Sequence, residues 1–70
     1  MRHSKDTKSK KLKALGKRIK RARERMKWTQ EMLAHKLGYD PSIVSHWEAG
    51  KKAPTALTLI ALIKKLDLKV

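Results

Sequence analysis

The chain has 70 residues, carries 19 Lys and Arg against 6 Asp and Glu for a formal net charge of +13, and contains no cysteine. A chain this short is one small domain that buries only about 60% of its unfolded surface, and without thiols it has neither a disulfide framework nor a thiolate zinc site to add stability. The longest apolar stretch, residues 57–63, falls far short of the roughly 20 residues that cross a bilayer, and no apolar signal region follows the basic N-terminus.

Residues 1–11, "MRHSKDTKSKK", have no apolar side chain after Met1. Such a segment buries too little to offset its ordering entropy, so a disordered basic arm is expected, with the domain occupying residues 12–70. From Leu12 the pattern changes: Leu12, Leu15, Ile19, Ala22 and Met26 recur every three or four residues and predict a first helix with a buried stripe, basic elsewhere. Residues 1–27 hold thirteen basic and two acidic residues, whereas residues 28–70 hold six and four, so the excess charge is concentrated N-terminally. A polyanion is the natural partner, because each Lys or Arg beside a phosphate releases condensed counterions. Charge alone leaves open a solvated face, or a surface for acidic lipid or an acidic protein.

A second helix is predicted at about 30–37. Thr29 is a suitable N-cap, Trp28 before it can pack on Leu33, and Gly38 follows where a left-handed residue ends a helix. Leu33, Ala34 and Leu37 form its apolar stripe. Asp40 as N-cap and Pro41 at the first helical position then open a third helix, about 41–48, which Gly50 closes. A fourth is predicted from Thr55 to Leu66. There are no strand signals and no internal repeat, so the class is all-α, with four to five short helices.

Helices two and three, joined by "LGYD", have the proportions of a helix-turn-helix, whose second helix enters the major groove. Val44 and Trp47, three apart, face inward in this reading, while Ser42, Ile43, Ser45 and His46 flank the other side. The segments "LGKRIKRAR", "TQEMLAHKLG", "SIVSHWEAGKKAP" and "LTLIALIKKLDL" resemble, in one order and across residues 15–68, the phage Cro and cI repressor type of helix-turn-helix, the xenobiotic-response-element family. The resemblance implies a lambda-repressor-like domain bound to double-stranded DNA. It implies that Asp40, Pro41, Ser42, Ile43 and His46 stand at base-reading positions, that Gln30 binds a phosphate, and that Lys51 and Lys52 grip the backbone. It also implies an ion pair between Arg23 and Glu48. Pro41 and Ser42 stand where better-known readers often carry two glutamines, so base readout should be sparse: Ile43 on a thymine methyl, and His46 with Ser42 or Ser45 on base acceptors or phosphates. Asp40 is more naturally a cap than a reader of cytosine. Arg18, with Lys20 and Arg21, is expected to flank the duplex on its phosphates.

On the fourth helix, Leu59, Leu62, Ile63 and Leu66 are assigned to the core, and Leu57 and Ile60 are surplus. With Leu68 and Val70 they suggest a weak homodimer, a protein partner or a poorly covered edge of the core. The function expected is a sequence-specific transcriptional repressor, bacterial or phage-encoded, acting in the cytoplasm on the nucleoid. An antitoxin that represses its own operon and binds a toxin through the fourth helix is the alternative, and a basic amphipathic module for membrane or protein is a more remote one. No enzyme is expected: there is no paired carboxylate, no nucleophile with a base, and no phosphate loop. His3, His35 and His46 lack metal-ligand spacing, so neither a metal nor a cofactor is expected.

Overall fold

The computed structural model describes residues 3–68. Four helices follow one another: α1 (His3–Arg25), α2 (Gln30–Leu37), α3 (Pro41–Glu48) and α4 (Ala56–Leu66). No strand occurs among the described residues, and the class is all-α.

α1 runs back to His3, through the stretch that the sequence marks as a basic arm. Once Leu12–Arg25 is helical, each further residue adds one hydrogen bond without a new nucleation cost, and lysine is a good helix former. Met1, Arg2, Lys69 and Val70 lie outside the described residues, and with them the expectation for Val70.

All four helices end in a left-handed residue. At the end of α1, Trp28 N–H donates to the Arg23 carbonyl (3.1 Å) and Lys27 N–H to that of Glu24 (2.9 Å). The same crossed pair recurs after α2 (Tyr39 to Ala34, 2.8 Å; Gly38 to His35, 3.2 Å) and after α3 (Lys51 to His46, 2.9 Å; Gly50 to Trp47, 3.1 Å). This is the Schellman arrangement, which satisfies carbonyls that a helix end leaves open. Gly38 (φ 79°) and Gly50 (φ 74°) adopt it without a Cβ penalty, whereas Lys27 (φ 63°) and Asp67 (φ 53°) adopt it with one.

At the starts, Thr29 accepts from Met32 N–H (3.0 Å), Asp40 from Ser42 N–H (2.9 Å) and Thr55 from Thr58 N–H (3.3 Å). Sharp caps at both ends keep α2 and α3 short, so each contributes only one buried patch. Leu33 and Ala34 of α2 and Val44 and Trp47 of α3 meet Ile19 and Ala22 of α1 and Leu62 and Leu66 of α4 in one core. Each buried aliphatic side chain there contributes about 1.5–3 kcal/mol relative to exposure.

Two side chains differ from their expected places. Met26 is 39% exposed and lies outside the core, because α1 stops at Arg25 and the chain turns away. Leu68, expected on a surplus surface, folds back and is buried in the core. Thr58 is buried as well, with its hydroxyl within 2.7 Å of the Tyr39 hydroxyl and accepting from Thr55 at 2.9 Å, so it ties α4 to the α2–α3 turn. Tyr39 also meets Trp47 edge-on, with ring centroids 5.7 Å apart. Leu57, 81% exposed, and Ile60, 50% exposed, remain on the outside of α4.

Candidate nucleic-acid interface

α3 is the shortest way to present a helical face, and its placement depends on what holds its C-terminal end. Val44 and Trp47 bury one side of it. Immediately after them, Glu48 turns its carboxylate to Arg23 on α1: Arg23 Nε donates to Oε2 at 2.6 Å and Nη2 to Oε1 at 3.0 Å. Arg23 Nη1 donates to the Trp28 carbonyl at 2.7 Å, and Gln30 Nε2 donates to Glu48 Oε1 at 3.0 Å. The two side chains are 10% and 4% exposed. Charges so buried are tolerable only when each is hydrogen-bonded, and this network joins α1, the α1–α2 turn, α2 and α3 at one point. The hydrogen bond to Glu48 is the chief reason the Arg23 guanidinium is held even more firmly protonated than usual.

Gly16 makes this junction possible. A Cβ placed there would lie 2.4 Å from the Trp47 carbonyl oxygen and 2.6 Å from that of Glu48. α1 and the end of α3 therefore touch backbone to backbone. Nothing in the local pattern marks Gly16 as special beyond its being a glycine within a helix, which costs roughly 1 kcal/mol and calls for a reason.

The outer side of α3 is exposed at Pro41, Ser42, Ser45 and His46. Asp40 is exposed too, but its Oδ1 accepts both the Ser42 N–H (2.9 Å) and the Ser42 hydroxyl (2.8 Å). These bonds hold the Asp40 carboxyl below its ordinary value. Asp40 and Ser42, both expected at base-reading positions, thus spend their polar groups on the cap, and the Ser42 oxygen is left to accept rather than donate. Ile43 is half-buried and packs against the core, so only its outer edge faces solvent. His46 and Ser45 are the polar side chains that point outward without such a commitment.

Gln30 lies at the start of α2 with one amide hydrogen given to Glu48, and its amide carries a second N–H besides. Lys51 and Lys52 are exposed just beyond α3. The loop carrying them rests on α1 at Lys13, whose Cα and Cγ lie 3.0 and 2.7 Å from where a Gly50 Cβ would be. Lys13, Lys17 and Lys20, spaced four and three apart, share that edge of α1. Their periodicity was visible in the sequence; which edge of α1 faces the loop was not. Arg18 is placed differently. Two residues from Gly16, it lies about 200° round the helix, where it lines a cleft with Arg21, Arg25 and Leu68. It is thus set apart from Gln30, Lys51 and Lys52, with which the sequence reading grouped it.

Two short helices crossing through a glycine turn, the second outward-facing and locked at its end to the first helix, define the architecture. A family model described as Helix-turn-helix matches residues 19–70. The chain belongs to the Cro/cI-type helix-turn-helix family. This is a lambda-repressor-like, DNA-binding family, typically non-enzymatic. The helix-turn-helix chain is also similar to two curated relatives. It is 35% identical over 57 residues to multiprotein-bridging factor 1 of Candida albicans, covering 81% of this chain and 38% of that protein. It is 36% identical over 52 residues to vegetative-specific protein H7 of Dictyostelium discoideum, covering 74% of this chain and 50% of that one. The chain thus spans half or less of the length of these relatives. Both come from eukaryotes, and neither name is that of a repressor. Among the described residues, no helix is long and apolar enough to cross a membrane.

Proposed function

We propose that this helix-turn-helix domain regulates transcription by seating α3 in the major groove of double-stranded DNA. His46 and Ser45 read base edges or phosphates, the outer edge of Ile43 meets a thymine methyl, and Asp40, Pro41 and Ser42 serve mainly to start the helix. Gln30, Lys51 and Lys52 hold phosphates, with Lys13, Lys17 and Lys20 beside them in place of Arg18. The observation that carries this reading is the exposed outer face of a helix whose inner end is fixed by the Arg23–Glu48–Gln30 network. With so few base contacts, backbone charge supplies much of the affinity.

Selection of bound sequences from a random DNA pool tests it. An enriched site, bound with an affinity that falls steeply with salt, is expected, and Lys51→Ala with Lys52→Ala should lower the salt slope by about 2. A pool that enriches nothing would sink sequence-specific reading, and a shallow salt slope would sink phosphate-dominated binding.

Occupying an operator would make the domain a repressor, and an antitoxin would act on DNA in the same way. A second reading draws on the name multiprotein-bridging factor: DNA binding joined to protein contact, through the exposed Leu57 and Ile60 of α4. The same two residues could pair two subunits, although the burial of Leu68 within the subunit leaves less apolar surface for it. Sedimentation with and without DNA separates a homodimer from a hetero-partner surface.

A further inference from the structure

The first three residues of α3 keep no hydrogen to give. Pro41 has no backbone N–H, and the Ile43 N–H goes to the Asp40 carbonyl at 3.0 Å. Asp40 Oδ1 takes both the Ser42 N–H at 2.9 Å and the Ser42 hydroxyl at 2.8 Å. The direction of this last bond is fixed by chemistry: an ionised carboxylate only accepts, so the hydrogen between the two oxygens is the hydroxyl's own. The bonds to Ser42 hold the Asp40 carboxyl below its ordinary value, which keeps it ionised at neutral pH. A serine hydroxyl has one hydrogen and two lone pairs. Ser42 is thus left with accepting capacity alone, on an exposed side chain at the outward start of the helix.

That restriction decides what Ser42 can meet on a duplex. Phosphate oxygens are acceptors, and the Asp40 carboxylate repels them, so the anion-binding role that a helix start ordinarily offers is closed here. Guanine N7 and O6, adenine N7 and thymine O4 on the major-groove floor also accept. Only the amino groups, N4 of cytosine and N6 of adenine, donate. The two differ in what stands beside them. The adenine amine lies between two acceptors, its own N7 and O4 of the paired thymine, and is matched by asparagine or glutamine, which donate and accept together. The cytosine amine has one neighbouring acceptor, O6 of the paired guanine, and none on its other side. Ser42 with Asp40 offers acceptors without a donor, which suits cytosine.

We propose that Ser42 is a specificity-determining residue that accepts from the N4 amino group of a cytosine, with Asp40 as the positioning residue that holds the hydroxyl hydrogen away from the bases. This selection rests on α3 entering the major groove, and it names the base that the start of the helix chooses there. Asp40 then has two tasks, starting α3 and setting the polarity of its neighbour.

The test selects bound sequences from random duplex DNA with the unaltered chain, with Ser42→Ala and with Asp40→Gly. Alanine leaves the backbone bond of the cap in place and glycine is a tolerated cap residue, so both variants should fold with little change in denaturation midpoint. The position whose base preference disappears in Ser42→Ala is the one that Ser42 faces. Cytosine should lead there for the unaltered chain. With Asp40→Gly the hydroxyl is free to donate, and guanine or thymine should rise to match cytosine. A duplex whose cytosine at that position is replaced by 2-pyrimidinone, which lacks the amino group, should bind the unaltered chain roughly fivefold more weakly and Ser42→Ala almost equally. Another base leading at that position, no position that depends on Ser42, a cytosine preference untouched by Asp40→Gly, or full affinity for the 2-pyrimidinone duplex would each overturn the proposal and leave the DNA reading standing. If the unaltered chain enriched no site at all, the major-groove reading would fall and the choice of cytosine with it.

Discussion

The two ends of α3 are held by opposite means. Its C-terminal end is fixed by buried charge: Glu48 is gripped by Arg23 and Gln30, over the bare backbone of Gly16. Its N-terminal end is fixed in water, by Asp40 folding onto Ser42. A buried, fully bonded network permits one geometry, since any displacement strands a charge in low dielectric, whereas an exposed cap can be remade by solvent. The buried C-terminal end thereby sets the angle of the helix, and the exposed cap fixes only where it starts.

Altering the strong end should have the largest effect. Glu48→Ala leaves the Arg23 guanidinium buried and unpaired, and should cost about 3 kcal/mol of stability, measured by chemical denaturation. A loss near zero would mean that the two ends are equivalent and the comparison fails. Gly16→Ala should cost about 2 kcal/mol, because the added methyl meets backbone carbonyls that cannot rotate aside, even though alanine favours the helix. A stabilised Gly16→Ala would show that α1 and α3 are not in close register.

Away from α3, Lys27→Gly should raise stability by about 0.5–1 kcal/mol, since the left-handed conformation at the end of α1 suits glycine. It should do so without changing DNA affinity, which supplies a background for the other variants. The smallest effect belongs to the weak end. The carboxyl of Asp40 is depressed by its bonds to Ser42, so its contribution is complete above the unfolded carboxylate value of about 3.9 and is lost as pH falls through the lower folded value. Asp40→Asn keeps a capping oxygen and should flatten that part of the acid stability profile with little change at neutral pH. An unchanged acid profile would mean that the cap does not act through its charge.

Much of this architecture was legible from local signals. Thr29, Asp40 and Thr55 announce helix starts, Gly38 and Gly50 announce ends, and the three-and-four spacing of Ile19 and Ala22 announces a buried stripe. Those signals reside in backbone conformation and in one helix at a time. The end of α1 was hidden because Lys27 adopts a glycine conformation without being glycine. Leu68 was misplaced for a related reason: whether a terminal apolar residue folds inward depends on space left between α1 and α4, which no local pattern encodes. Among the site residues, exposure of Ser45 and His46 follows from helical phase once Val44 and Trp47 are turned inward. The commitment of Ser42 to Asp40, the half-burial of Ile43 and the separation of Arg18 from Lys51 and Lys52 do not follow from it.

By itself, then, the amino-acid sequence determined the all-α class, the short capped helices on either side of Gly38, and the direction in which α3 turns its apolar face, because capping chemistry and helical periodicity act within a few residues. Only the tertiary structure decided how α1 is rotated against α3. That rotation is set by Gly16 meeting the Trp47 and Glu48 carbonyls and by Arg23 reaching Glu48, contacts between residues far apart in the chain. It also decides that Lys13 is the basic side chain of α1 brought against the loop after α3.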